Sequence, residues 1–404
     1  MATSLTLKLI QEAYEAIHPY VYRTILDPSS NLSSLIGTDI YLKMENLQKT
    51  GSFKVRGAMN KVLKLSPEER RKGVLAASAG NHAQGVAMAA SRLGIPATIT
   101  MPENAPLAKV SATEGYGAKV ILSGAVFDDA YQKALEIQQE SGATMIHAFD
   151  DLDVMAGQGT IGLEIYQDLP EVDTVLVPIG GGGLIAGIAV ALKSLKPSVR
   201  IVGVQAAGAP SMAHALEIGK PDAIPRANTL ADGIAVKKAG ELTFAAVREY
   251  VDEVVTVEEE EISQAILLLM ERTKSLVEGA GAVAVAAALQ GKVDLKGQKT
   301  VLILSGGNID VNFLAQIIER GLRRSGRTMS CQLILPDQPG QLEKVIELIA
   351  AKRANIINIE HSRYDLSVPL RSARVQMLIE TQSFDHQKSI AKCLEEAGYS
   401  LITE

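Results

Sequence analysis

Four apolar runs in this chain each lead to a short polar turn bearing glycine, and that recurrence limits the fold more than any single motif. Residues 40–44 lead toward Gly51-Ser52-Phe53-Lys54-Val55-Arg56-Gly57, and residues 73–77 run into Ser78-Ala79-Gly80-Asn81-His82-Ala83-Gln84-Gly85. Residues 174–179 run into Gly180-Gly181-Gly182-Gly183, and residues 300–304 end at Ser305-Gly306-Gly307-Asn308. Helical patterns follow at residues 59–63, at 86–90 and from Leu184 onward. Further apolar runs at 97–101, 118–122, 200–204 and 253–256 are interleaved with helical stretches at 110–114, 128–140 and 159–167. Strand and helix in alternation make a parallel sheet covered by helices. In open sheets of that kind ligands bind beyond the carboxyl ends of the strands, so the four turns can converge on one site.

At 404 residues the chain is too long for one typical folding unit. Its 34 glycines and 4% aromatic content suit an α/β core of small aliphatic side chains. An opening helix is predicted over residues 5–20, and residues 22–28 read as irregular. The acidic run Glu258-Glu259-Glu260-Glu261 follows Thr256, and Thr256 with Glu259 three residues on predicts a capping box. The pattern changes after a helix at 311–322. Residues 323–328, with Arg323, Arg324, Gly326 and Arg327, read as a linker. Beyond it strands at 331–335, 355–361 and 372–380, helices at 341–352 and 385–397, and a short last strand give the order βαββαβ, a ferredoxin-like unit. The expected domains are therefore an α/β domain over 1–322, with a smaller subdomain near 45–150, and a small domain over 329–404.

A net charge of −6 gives no reason to expect nucleic acid or an anionic membrane as partner. Residues 1–10 lack a secretory pattern and no apolar window is long enough to span a bilayer, so a soluble cytoplasmic protein is expected. The two cysteines, Cys331 and Cys393, define no disulfide framework, although one bridge between them stays open. The histidines have no metal-site spacing, and no metal is expected.

Lys54 alone reads as a snorkelling lysine at the start of a helix. The other turns change that. Four consecutive glycines before a helix let backbone N–H groups wrap a phosphate at the positive end of the helix dipole. Gly181, Gly183 and Ala186 formally match a dinucleotide fingerprint, but the next strand ends in Gln205, where an acid should hold the ribose. A P-loop lysine is also missing. A small phosphorylated cofactor fits better, and Lys54 supplies the amine that pyridoxal phosphate takes up as a Schiff base. Gly180, Gly181, Gly182, Gly183 and Leu184 would cradle its phosphate, Ser305 would face the ring nitrogen, Phe53 would pack beside the ring, and Asn81 would reach its phenolic oxygen. The N–H groups of Ser78, Ala79, Gly80, Asn81 and His82 suit the carboxylate of an amino-acid substrate. His82 reads as a capping or core histidine and is not assigned the proton transfer.

These segments, with Ala231-Asp232-Gly233, resemble the signatures of the threonine dehydratase (threonine ammonia-lyase) family of fold-type II pyridoxal-phosphate enzymes, in order over residues 5–320. The tail is similar to an ACT domain, the small amino-acid-sensing module, through its βαββαβ order and Asp337-Gln338-Pro339-Gly340-Gln341-Leu342. The resemblance implies a Schiff base at Lys54, proton removal by Lys54 at the substrate α-carbon, and loss of the β-hydroxyl. L-Threonine would give 2-oxobutyrate and ammonia, and L-serine would give pyruvate. It also implies a homodimer or homotetramer and an amino-acid effector near Asp337, Gly340 and Leu342. Serine racemases share most of these motifs but carry a serine where this chain has Ala79, so elimination is favoured over racemisation. Their divalent-cation site is also in doubt here, because Gln205-Ala206-Ala207-Gly208-Ala209-Pro210-Ser211 contains no carboxylate. A serine racemase, a 3-hydroxyaspartate dehydratase and a silent amino-acid sensor are the competing readings.

Overall fold

Strands covered on both faces read as unbroken apolar runs, and β3 (Val74–Ala77) and β7 (Thr174–Pro178) are buried at every residue. β3 lies in a four-stranded parallel sheet with β4 (Ala97–Met101), β5 (Lys119–Leu122) and β6 (Thr144–Met145), in the order β5-β4-β3-β6. β7 lies in a second sheet with β1 (Leu26–Pro28), β2 (Asp39–Lys43), β8 (Arg200–Ala206), β9 (Glu253–Val257) and β10 (Lys299–Ile303). Its order is β1-β2-β10-β7-β8-β9, parallel throughout except for β1. The computed structural model describes residues 4–364 and 368–403.

Helices cover these sheets closely. Helix Leu152–Asp168 packs on helix Gly183–Leu195, and a Cβ at Gly187 would stand 2.5 Å from the Gly159 nitrogen. Only glycine at that crossing lets the two backbones approach so far.

The chain divides into two compact units, residues 1–309 and 310–404. The second holds β11 (Thr328–Pro336), β12 (Asn355–Ser362), β13 (Ser372–Glu380) and β14 (Leu401–Thr403) as an antiparallel sheet, ordered β12-β13-β11-β14. Met329, Cys331, Leu333 and Leu335 alternate inward with Val375, Met377 and Ile379, and pack with Val345, Ile349, Ile390 and Leu394. Helices Gln341–Ala351 and Phe384–Glu396 complete the βαββαβ order.

Several local expectations change. Leu26–Pro28 is a strand rather than irregular chain, because it pairs antiparallel with β2. The capping box moves two residues: the Glu261 carboxylate accepts from the Glu258 N–H at 2.8 Å. Thr256 is instead held in β9, opposite Gln205, and Glu259 accepts from the Leu230 N–H. The helix expected from residue 159 starts at Leu152, where Asp151 caps it. Helix Val311–Arg324 falls within the second unit and runs through the expected boundary at 322, leaving only residues 325–327 before β11. Cys331 and Cys393 are both free thiols.

Candidate active site

Lys54 is the first residue of helix Lys54–Leu63, and the turn before it is tied to the turn after β10. The Phe53 N–H donates to the Ser305 carbonyl at 3.1 Å, and the Gly307 N–H donates to the Gly51 carbonyl at 2.9 Å. Gly51 adopts φ +71°, a left-handed conformation that strains any other residue type except Asn or Asp. Two residues past Lys54, Arg56 is fully buried and anchors the helix from below. Its guanidinium donates to both carboxylate oxygens of Glu45 at 2.9 and 2.7 Å and to both of Glu164 at 2.7 and 2.9 Å. Lys43 completes the cluster with a 2.6 Å pair to Glu164. Two cations balance two carboxylates, which is the condition for burying them.

Above this anchor lies a cavity of about 900 Å³. Phe53, Lys54, Ser78, Ala79, Gly80, Asn81, His82, Gly180, Gly181, Gly182, Gly183, Leu184 and Ser305 all line it. Every residue expected at the cofactor and substrate is thus brought to one space. The Lys54 ammonium donates to the Ala148 carbonyl at 2.8 Å and lies 5.2 Å from the Phe53 ring centroid. Burial pulls its pKa down to about 8, against the opposing attraction of Glu278. About a tenth of such an amine is neutral, hence nucleophilic, at pH 7, far more than of a lysine at its ordinary value of 10.5. His82 binds the Ile146 carbonyl through Nε2 at 2.8 Å. Burial first, and then the charge on Lys54, lower its pKa to about 3, so the ring is neutral.

The glycine turn is built to receive an anion. Gly182 has φ +99°, and a Cβ on Gly181 would stand 2.3 Å from the Phe149 ring. Among the described residues, the N–H groups of Gly181, Gly182, Gly183 and Leu184 donate to no protein acceptor. Gly182 caps and Gly183 and Leu184 open a helix, whose orphan donors need a partner, and Gly181 stands just ahead of it. In the β3 turn, the Gly80 N–H is taken by the Ser78 hydroxyl at 3.1 Å. An amine of lowered pKa facing such a cradle fits a phosphorylated aldehyde.

Some site residues had gone unrecognised. Glu278, which is 4% exposed, lines the cavity and accepts from Asn81 Nδ2 at 2.6 Å. Burial pushes its carboxyl up to about 7, and Asp232 adds to the rise. The available signal was a lone acid at the head of the apolar helix Gly279–Leu289. Phe149 packs under the glycine turn, and the His147 ring accepts from the Phe149 and Asp150 N–H groups. Asn308 donates to Asn81. The Asn81 amide, expected to serve only a ligand oxygen, is therefore already bonded at both ends.

Asp337, Gly340 and Leu342 lie in the second unit. The Asp337 N–H donates to the Arg371 carbonyl at 2.9 Å, and its carboxylate pairs with Arg363 at 3.0 Å. Gly340 has φ +83° ahead of helix Gln341–Ala351, and Leu342 packs against that unit's core. Among the described residues no helix is long and apolar enough to cross a membrane, and no cluster of three His, Cys, Asp or Glu could hold a metal ion.

A family model described as pyridoxal-phosphate-dependent enzyme matches residues 17–306. The chain belongs to that family, with the fold-type II architecture. Within it, the chain is 52% identical over 397 residues to an L-threonine ammonia-lyase of Thermotoga maritima, covering 98% of this chain and 99% of that one. A threonine deaminase from Solanum lycopersicum superposes with a TM-score of 0.75 at 39% identity, covering 78% of this chain and 90% of that one. Maize serine racemase superposes equally well, with a TM-score of 0.75 and 39% identity over 80% of this chain and 99% of its own.

Proposed function

We propose that this enzyme is a pyridoxal-phosphate-dependent ammonia-lyase that converts L-threonine to 2-oxobutyrate and ammonia, and L-serine to pyruvate. One observation carries the reading: a lysine of lowered pKa shares a cavity with an unpartnered helix N-terminus of glycines. Pyridoxal phosphate, when bound, supplies an aldehyde for amines and a sink for the electrons left by a departing α-proton. Lys54 would hold it covalently, Gly181 to Leu184 would hold its phosphate, and Ser305 would give its ring nitrogen a neutral hydroxyl partner.

The chain's own part in turnover follows from these positions. With the Ser78 and Gly80 N–H groups taken by the Thr100 carbonyl and by the Ser78 hydroxyl, the turn seats the substrate carboxylate on the N–H groups of Ala79, Asn81 and His82, which fixes the α-carbon relative to Lys54. Lys54, released as a neutral amine once the substrate amine takes its place, would take the α-proton. The β-hydroxyl then leaves as water, the proton it gains balancing the one Lys54 removed, and the released aminocrotonate takes up water to give the oxo acid and ammonia. Walls such as Phe53, Ile146 and Phe149 keep much of the cavity apolar and limit water. Ala79 offers no hydroxyl as a second proton carrier, which favours elimination over the racemase reading.

The second unit supports a regulatory role through its ferredoxin-like order, with an amino-acid effector bound near Asp337, Gly340 and Leu342 in a homodimer or homotetramer. A panel of amino acids tested as substrates tests the main reading. Release of 2-oxobutyrate from L-threonine is expected, and a purified protein that binds pyridoxal phosphate yet releases no oxo acid would overturn it. Chiral separation of serine after incubation tests the racemase reading.

A further inference from the structure

Four residues from four separate stretches of chain form a hydrogen-bond relay along one side of the cavity. Asn308 Nδ2 donates to the Thr50 carbonyl at 2.7 Å and to Asn81 Oδ1 at 2.8 Å. Asn81 Nδ2 in turn donates to Glu278 Oε1 at 2.6 Å. Direction is set from the Thr50 end. A backbone carbonyl can only accept, so the Asn308 amide must present its NH₂ group to Thr50, and its second hydrogen goes to Asn81. Asn81 therefore accepts at Oδ1 and turns its NH₂ group to Glu278, whose Oε1 takes that bond. Turning the Asn81 amide over would set its NH₂ group against that of Asn308. One N–H of Asn81 remains for the cavity that this residue lines.

The room for Glu278 is also built. A Cβ on Gly306 would stand 2.4 Å from Glu278 Oε1, and one on Gly233 would stand 3.3 Å from it. The Glu278 N–H donates to the Gly306 carbonyl at 3.0 Å, which ties this residue to the turn that carries Ser305.

We propose that Glu278 is a positioning residue that acts through Asn81, holding its amide so that the remaining N–H is offered to the phenolic oxygen of pyridoxal phosphate. This rests on the cofactor reading above. The acceptor on Glu278 is what matters, so glutamine, whose carbonyl oxygen can take the same bond, keeps the arrangement and alanine loses it. Without the lock the Asn81 amide must be ordered by the ligand itself, and part of the bond's contribution is lost.

The test compares apparent dissociation constants of the full-length apoenzyme for pyridoxal phosphate and for its 3-deoxy analogue, which lacks the phenolic oxygen. E278A and N308A are expected to weaken pyridoxal phosphate by about tenfold, the scale of one hydrogen bond, and to leave the analogue unchanged. E278Q is expected to bind pyridoxal phosphate as the unaltered chain does. Equal weakening of both ligands in E278A, or no rescue by E278Q, would overturn the proposal and leave the cofactor reading standing. An unaltered chain that binds neither ligand would overturn the cofactor reading itself.

Discussion

Lys54 donates from Nζ to the carbonyl of Ala148 at 2.8 Å, a bond that joins the head of the Lys54 helix to the segment just beyond β6. That segment continues through Phe149, which lies under the glycine turn, so the amine and the phosphate cradle are referenced to one stretch of backbone. Lys54→Ala is expected to remove the covalent attachment and the base together. Turnover of L-threonine should fall by at least about 10²–10⁴-fold, the usual range for losing a positioned base. The yellow absorbance of the lysine-bound cofactor should vanish, and both are read from one spectrophotometric assay.

The amine also has a pH signature. Its folded pKa of about 8 lies below the unfolded value of 10.5. Capture of pyridoxal phosphate by the apoenzyme should therefore speed up as pH rises to about 8 and level off above it. An unperturbed lysine would keep gaining up to about 10.5. Between the two values the unfolded chain binds the extra proton, so apoenzyme stability should rise with pH in that window. Stopped-flow capture rates and urea midpoints check the two halves.

Gly181→Ala places a methyl 2.3 Å from the Phe149 ring, closer than atoms can sit, so the turn must shift. A loss of about 1–3 kcal/mol in stability is expected from overpacking. Affinity for pyridoxal phosphate should weaken as the N–H groups move. Adding Phe149→Ala should recover much of the cofactor affinity, which a titration of the double variant would measure.

Arg56→Met removes the cation between Glu45 and Glu164 and leaves two carboxylates with Lys43 alone. Breaking a buried pair in this way costs about 3–5 kcal/mol, read from urea unfolding at neutral pH. Burial pushes the Glu45 carboxyl up, but Arg56 beside it more than offsets this and holds it below its ordinary value of 4.5. Its contribution in the unaltered chain is therefore present above about pH 4.5 and lost as pH falls through the lower folded value. The stability gap between variant and unaltered chain should narrow on acidification.

For the second unit the expected outcome is that at least one amino acid that is not a substrate changes the rate with L-threonine. Asp337→Ala should weaken that response and leave the rate without effector unchanged. A dose–response series on both proteins measures it.

The elements near the site were legible because their signals are local. Glycines, polar turns and apolar runs mark the ends of β3, β7 and β10 without help from distant residues. Leu26–Pro28 had no such signal, since three residues form a strand only by pairing with β2. The capping box was misplaced for a similar reason. β9 continues to Val257 because Ala206 of β8 pairs with it there, and that pairing delays the helix. Glu278 escaped notice because a lone acid acquires meaning only from Asn81, 197 residues away in the chain.

By itself the sequence determined the kinds of chemistry available: one lysine at a strand-to-helix turn, a run of glycines for an anion, and a serine rather than an acid after β10. It also determined the alternation that puts such turns beyond the carboxyl ends of parallel strands, while the division of those strands between two sheets came from the tertiary structure. Only the tertiary structure decided what these groups are like. The lowered pKa of Lys54 and the orientation of Asn81 depend on burial and on partners far away in the chain. Electrostatic environment and hydrogen-bond direction are properties of distance in space, and the linear order of residues does not contain them.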